Sequence, residues 1–184
     1  MTETTTRARP LDLFLLLFLA LALLLPGQTG IPPVDRDESR YAVATSQMLA
    51  TGNLVDIRYQ DVPRYLQPAG IYWLQSASVA LFSSPEAREI WAYRLPSLVG
   101  AVVAVLLTAW LAGRLFGRWA GLAAGMLLAT SLALGVEART AKIDAMLLAT
   151  VVAAQSALAL LYLDRAARPR LAAAVFWAAL GMGV

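Results

Sequence analysis

The residues of this 184-residue sequence that could do chemistry by type and placement are acidic. Asp37 and Glu38 are neighbours in PVDRDESRYAVATSQMLATGN, the start of a polar stretch that runs from Pro33 to Trp73. Asp144 follows Glu137, Arg139 and Lys142 and opens a long apolar run. A carboxylate at a membrane surface can act as general base toward an acceptor hydroxyl, or can orient it. It can equally complement the dipole of a helix start, and Asp35 and Glu38 have the spacing of a capping box. Spacing alone leaves both readings open for the Asp37 and Glu38 pair. For Asp144 the energetics say more, because an ionised carboxyl at the centre of a membrane helix costs about 2.5–3.5 kcal/mol and less near an interface. Such a group should face protein or water. A functional role for Asp144 is favoured over simple pairing with Arg139 or Lys142, since Asp37 falls on the same outer side.

The elements that position these residues follow from composition. Hydrophobic residues make up 59% of the chain and charged residues 15%, and the mean hydropathy is +0.64. These values indicate an integral membrane chain. With no cysteine and no histidine, disulfide scaffolds and ordinary zinc sites are excluded, so any metal would be held by carboxylates, carbonyls and water. The net charge of +3 is scattered between apolar runs rather than gathered in one patch, and no nucleic-acid partner is expected.

Apolar runs place membrane spans at about 11–33, 95–113, 119–136, 143–163 and 171–184, the last incomplete, with an outer loop over about 34–90. The first resembles a signal peptide, but no A-x-A site follows it, and an uncleaved span is expected. Pro96 is placed in the first turn of the second span, where its missing amide hydrogen costs nothing. Glycines 117, 121 and 125 give the third span a flat face for a neighbouring helix. Arg7, Arg9, Arg114, Arg118, Arg165, Arg168 and Arg170 share one side if the spans alternate. That modest bias puts the first loop outside the cytoplasm in a multi-pass protein of the cell (inner or plasma) membrane.

Within the outer loop, residues 37–50 carry a helical apolar stripe of Tyr41, Ala44 and Met48 with Ala42 and Leu49, and Gly52 supplies a left-handed stop. A second helix should follow Pro68, with Ile71, Tyr72 and Leu74 leading to Leu81 and Phe82. Both are expected to be juxtamembrane amphipathic helices lying on the bilayer. The fold class is thus all-α and polytopic.

Four strings in order, DESRYAVATSQMLATGN, QPAGIYWLQSASVALF, WAYRLPSLVGA and EARTAKIDAMLL, resemble the membrane glycosyltransferases of the GT-C fold that use polyprenyl-phosphate sugars. That family includes the protein O-mannosyltransferases and lipid A aminoarabinose transferases, and the resemblance covers nearly the whole chain. It implies a GT-C-like helical bundle of which this chain is the N-terminal portion. It carries the presumed catalytic aspartate to Asp37, with Glu38 beside it, and a second acidic residue to Asp144. Arg94 falls in the RLPS motif, where a structural role is expected. Family members commonly have Lys-Pro-Pro where this chain reads Gln67-Pro68-Ala69, and that lysine is expected to contact the donor phosphate. Another cation should replace it here, and Arg58, Arg64, Arg139 and Lys142 are the outer-side candidates.

The function implied is inverting transfer of a sugar from a polyprenyl-phosphate carrier to a protein, lipid or glycan acceptor at the outer face. Its partners would be the lipid-linked donor, that acceptor and membrane lipid. No cofactor is fixed by the motifs, and a divalent metal ion assisting the phosphate stays open. Two rival readings are a transporter or flippase in which Asp144 relays protons, and a non-catalytic assembly subunit. The long acidic outer loop favours the enzyme, because a transporter would keep its key residues inside spans.

Overall fold

The computed structural model describes residues 9–163 and 167–183. Arg7 and Arg165, which enter the topology argument, lie outside the described residues. The elements in chain order are α1 (Pro10–Leu24), α2 (Arg36–Thr51), β1 (Arg58–Tyr59), β2 (Val62–Pro63), α3 (Gly70–Phe82), α4 (Ile90–Phe116), α5 (Arg118–Ala129), α6 (Leu132–Glu137), α7 (Asp144–Tyr162) and α8 (Pro169–Gly183). The architecture is all-helical, as expected, apart from a two-residue antiparallel hairpin pairing Arg58 with Pro63 and Tyr59 with Val62.

Helix α4 is the central post and packs on α1, α3, α5 and α7. It and α7 are long and apolar enough to cross a bilayer. Its apolar contacts with the other spans form one core, in which Ala20 and Leu24 of α1 meet Leu98, Val102 and Val105 of α4 and Ala145 of α7. On the outside, Phe18 of α1 is 68% exposed and Leu127 of α5 is 73% exposed. Faces this apolar are matched to lipid rather than water.

Several expected boundaries shift, each for a local reason. Helix α1 stops at Leu24, well short of residue 33, because Pro26 has no amide hydrogen to continue the ladder and Gly27 turns left-handed at φ +91°, and side chains take its last carbonyls. Gln28 Nε2 donates to the Leu24 carbonyl at 3.2 Å, and Arg139 donates to the carbonyls of Leu23 and Pro26. Helix α4 begins at Ile90 rather than near residue 95, so Pro96 lies inside it instead of in its first turn. Proline there denies the Ala92 carbonyl its usual donor. The Ser78 hydroxyl of α3 supplies one at 2.6 Å, tying α3 to α4. The third expected span breaks at Thr130 and Ser131 into α5 and α6. Of its glycines, 121 and 125 do pack closely: a Cβ on Gly121 would lie 2.5 Å from the Ala109 carbonyl oxygen of α4. Gly117 instead makes the turn into α5, at φ +95°.

The two helices expected in the first loop form where the periodicity and Pro68 place them. Helix α2 starts with Asp35 as its cap, whose side chain accepts the Asp37 amide at 3.0 Å. It ends at Gly52, φ +68°, whose amide reaches the Met48 carbonyl. Its stripe of Tyr41, Ala44 and Met48 packs with Ile57 and with Ile71 and Tyr72 of α3. Inside that contact the Thr45 hydroxyl donates to Gln75 Oε1 at 2.7 Å, with both residues fully buried.

Candidate active site

The spacing i, i+3, i+4 puts Asp37, Arg40 and Tyr41 on one face of α2. Tyr41 stacks on Tyr72 of α3, with ring centroids 5.4 Å apart. Arg64 lies over the Tyr41 ring at 5.2 Å and donates from Nε to the Tyr72 hydroxyl at 2.9 Å. Its backbone amide is held by the Ile57 carbonyl at 2.8 Å. The guanidinium is therefore fixed by a cation–π contact and a hydrogen bond, which leaves its other nitrogens directed by that platform. Burial of Tyr41 pushes its hydroxyl pKa well up, so the platform stays neutral.

Beside this platform opens a cavity of about 520 Å³. Asp37, Arg40, Arg64, Gln67, Lys142 and Asp144 all line it. Five of these six positions come from the sequence reading. Asp37 is half exposed and accepts from Arg40 Nη1 at 3.1 Å. Asp144 is exposed at the start of α7, and neither Arg139 nor Lys142 pairs with it. Lys142 is paired with Asp35, which holds the Asp35 carboxyl below its ordinary range and raises the lysine's. Its carbonyl accepts the Ser97 hydroxyl at 2.9 Å, fixing this loop to α4.

A second space, about 320 Å³, runs between α3, α7 and α8. It is apolar, with Trp73, Leu74 and Met146 in its walls, and it shares Ile143, Leu147 and Gly183 with the charged cavity. A polar chamber thus adjoins an apolar groove.

Three expected site residues stand elsewhere. Glu38 is fully buried and forms a two-pronged pair with Arg94 of α4, Nε to Oε1 at 2.7 Å and Nη2 to Oε2 at 3.1 Å. Its Oε1 also accepts the Ala141 amide at 3.0 Å, and its Oε2 accepts the Val34 amide at 3.3 Å. The capping-box spacing thus led to a different bond, to residue 34 and not to the Asp35 amide. With both oxygens occupied, Glu38 joins chain segments rather than facing substrate. Arg94 completes the joint by donating to the carbonyls of Gln28, Ile31 and Pro32. Arg58 is committed to Asp56 at 2.7 Å and to the Asp61 carbonyl, steadying the hairpin outside the cavity. Arg139 closes the end of α1 and donates to the Gly135 carbonyl at 2.5 Å. Both are committed to other partners, Arg58 within its hairpin and Arg139 mainly at the end of α1, and neither lines the cavity.

Arg40 is the cavity cation that the sequence reading missed. The signal was present in its i+3 spacing from Asp37. Glu137 is a further neighbour: half buried at the end of α6, it has its pKa raised first by burial and then by the charge of Asp144. Among the described residues no group of three or more carboxylates, cysteines or histidines is arranged to hold a metal ion.

This all-helical bundle has the GT-C membrane fold. It matches the crystal structure of ArnT from Cupriavidus metallidurans in the apo state with a TM-score of 0.79, and that of ArnT bound to undecaprenyl phosphate with 0.78. Both matches have 23% sequence identity and cover 94% of this chain and 31% of ArnT. Residues 66–184 match the family described as dolichyl-phosphate-mannose-protein mannosyltransferase, and the chain belongs to that family. One curated relative, the undecaprenyl phosphate-alpha-4-amino-4-deoxy-L-arabinose arabinosyl transferase of Enterobacter sp. (strain 638), is 28% identical over 119 residues. A second, arabinosyl transferase 2 of Pseudomonas fluorescens (strain Pf0-1), is 34% identical over 111 residues. These alignments cover 64% and 59% of this chain but only 21% and 19% of the relatives, so the chain spans about a fifth of their length.

Proposed function

We propose that this chain forms part of a membrane glycosyltransferase that moves a sugar from a polyprenyl-phosphate carrier to an acceptor hydroxyl at the outer membrane face. The observation that carries this reading is the charged cavity and the apolar groove meeting at Ile143 and Leu147. A lipid-linked sugar phosphate has the same two-part chemistry. Its isoprenoid chain suits the groove, and its phosphate suits a chamber with Arg40, Arg64 and Lys142 in the wall.

In the reaction, Asp37 takes the acceptor proton as the acceptor oxygen bonds to the anomeric carbon. The bond from that carbon to the phosphate oxygen breaks on the opposite side, giving inversion. Charge then builds on the departing phosphate, and the cations of the wall stabilise it there. Asp144 faces the same chamber and can orient the acceptor. A divalent ion, if used, would meet Asp37 and Asp144 and complete its shell from phosphate and water. The acceptor class, protein, lipid or glycan, is left open by this chemistry. The relatives named for undecaprenyl-phosphate sugars support a lipid-linked donor.

A proton-relay transporter is less well matched. Asp144 lies at the exposed start of α7 rather than within the span, and the remaining charged groups of the chamber come from the loop elements. In this reading the first loop faces outward in the plasma or inner membrane. The test is release of polyprenyl phosphate from a labelled donor by the full-length protein in reconstituted membranes. Asp37→Asn should insert normally and lower turnover by roughly two to four orders of magnitude. Near-normal turnover by this variant would remove Asp37 as the base.

A further inference from the structure

At the end of the bundle away from the charged cavity, α4, α7 and α8 leave a groove of about 360 Å³. Ser156, in its wall, lies ~18 Å along α7 from Asp144 at 1.5 Å per residue. The walls are almost wholly apolar, with Leu160 of α7 and Leu171 of α8 among them. Two arginines border it, Arg114 from α4 and Arg168 from just before α8. The Arg114 guanidinium lies 5.4 Å from the Trp110 ring centre, and Trp110 also lines the groove. Ser156 is 4% exposed, yet its hydroxyl has no hydrogen-bond partner. A buried hydroxyl without a partner is costly, and it points to a polar group of a ligand at that depth.

We propose that this groove binds one anionic phospholipid from the leaflet opposite the charged cavity. An acyl chain fills the apolar walls, and its ester oxygen comes within reach of the Ser156 hydroxyl. The phosphate of the headgroup lies against Arg114 and Arg168. Charge complementarity selects this occupant, because basic residues bordering a cleft between membrane helices attract anionic headgroups, whereas a zwitterionic lipid has no net charge to offer. Trp110 sits at the border of the groove, the level at which indole rings favour the interface. The proposal does not depend on the transferase reading, since it uses no residue of the charged cavity.

The experiment is native mass spectrometry of the full-length protein in detergent, with phosphatidylglycerol or phosphatidylcholine of matched chains added. Phosphatidylglycerol should be retained as a single adduct, favoured over phosphatidylcholine by roughly five-fold through Arg168. Arg168→Gln, a change at an exposed position, should remove about that factor, and added salt should erode the preference in the wild type. A second measurement uses brominated phosphatidylglycerol to quench tryptophan fluorescence, with Trp110→Phe isolating the Trp110 signal. Quenching of that signal should be stronger than with brominated phosphatidylcholine. Equal retention of the two lipids, or unchanged retention in Arg168→Gln, would overturn the proposal. So would absence of any adduct, which would mean that protein covers the groove in the full-length molecule.

Discussion

Glu38 and Arg94, 56 residues apart in the chain, face each other with no exposed surface on either side chain. Through them α2, α4, the segment after α1 and the loop before α7 meet at one point. Removing one partner of such a pair leaves a buried charge unmatched, which costs about 3–5 kcal/mol. Glu38→Ala should therefore lose folded protein, seen as a lower unfolding midpoint in detergent. Asp37→Asn, one residue away and half exposed, should leave that midpoint nearly unchanged. A stable Glu38→Ala protein with lost turnover would show instead that Glu38 acts in the chemistry.

Gln67 lines the cavity where the family's lysine is expected, among Arg40, Arg64 and Lys142. In the full-length protein, Gln67→Lys should leave turnover intact or raise it, since the proposed donor phosphate is anionic and a further cation would suit it. Arg64→Gln should raise the donor KM, with a smaller effect on unfolding than Glu38→Ala. If Gln67→Lys abolishes transfer while the protein still inserts, the donor phosphate is not held beside position 67.

The raised pKa of Glu137 has a sign that can be checked. Between the ordinary carboxylate value and the raised one, the folded protein binds more protons than the unfolded chain. The stability that Glu137 contributes is full below the ordinary value and falls as pH rises through the raised one. Glu137→Gln should flatten this decline when unfolding midpoints are followed from about pH 4 to about pH 8. An unchanged slope would show that Glu137 titrates like an exposed carboxyl.

Topology can be read with single cysteines, because the chain has none of its own. Placed at Gln60, in the hairpin turn, and at Ala167, before α8, they should label with an impermeant thiol reagent in intact cells at position 60 only. Labelling at 167 with protection at 60 would invert the assignment.

Much of this arrangement was legible in the sequence wherever one local rule acted alone. The stripe of Tyr41, Ala44 and Met48 and the stop at Gly52 bounded α2 to within a residue or two, because periodicity and a left-handed cap agreed. Asp37, Arg64, Gln67, Lys142 and Asp144, each singled out by residue type and motif, line one cavity. Where distant segments decide the outcome, the sequence was silent. Glu38 looked like a cap because its partner Arg94 belongs to another helix. Arg139 looked like an outer cation because the carbonyls it closes belong to α1. Pro96 looked like a helix start because only tertiary contact brings the Ser78 hydroxyl to the carbonyl it strands.

The two ion pairs flanking Asp37 act as a gauge. Asp35 is joined to Lys142, and Glu38 is joined to Arg94 and to the Ala141 amide. The strip carrying Asp37 is thus tied at Asp35 and Glu38 to residues 141 and 142, just ahead of Asp144. In the proposed transferase, a sugar unit presented there would meet a slot of set width. That slot would not widen for a bulkier donor unless the pair of Asp35 with Lys142 and the bond of Glu38 to the Ala141 amide gave way, so tolerance for larger sugars would have to come from the wall around Leu66 and Gln67.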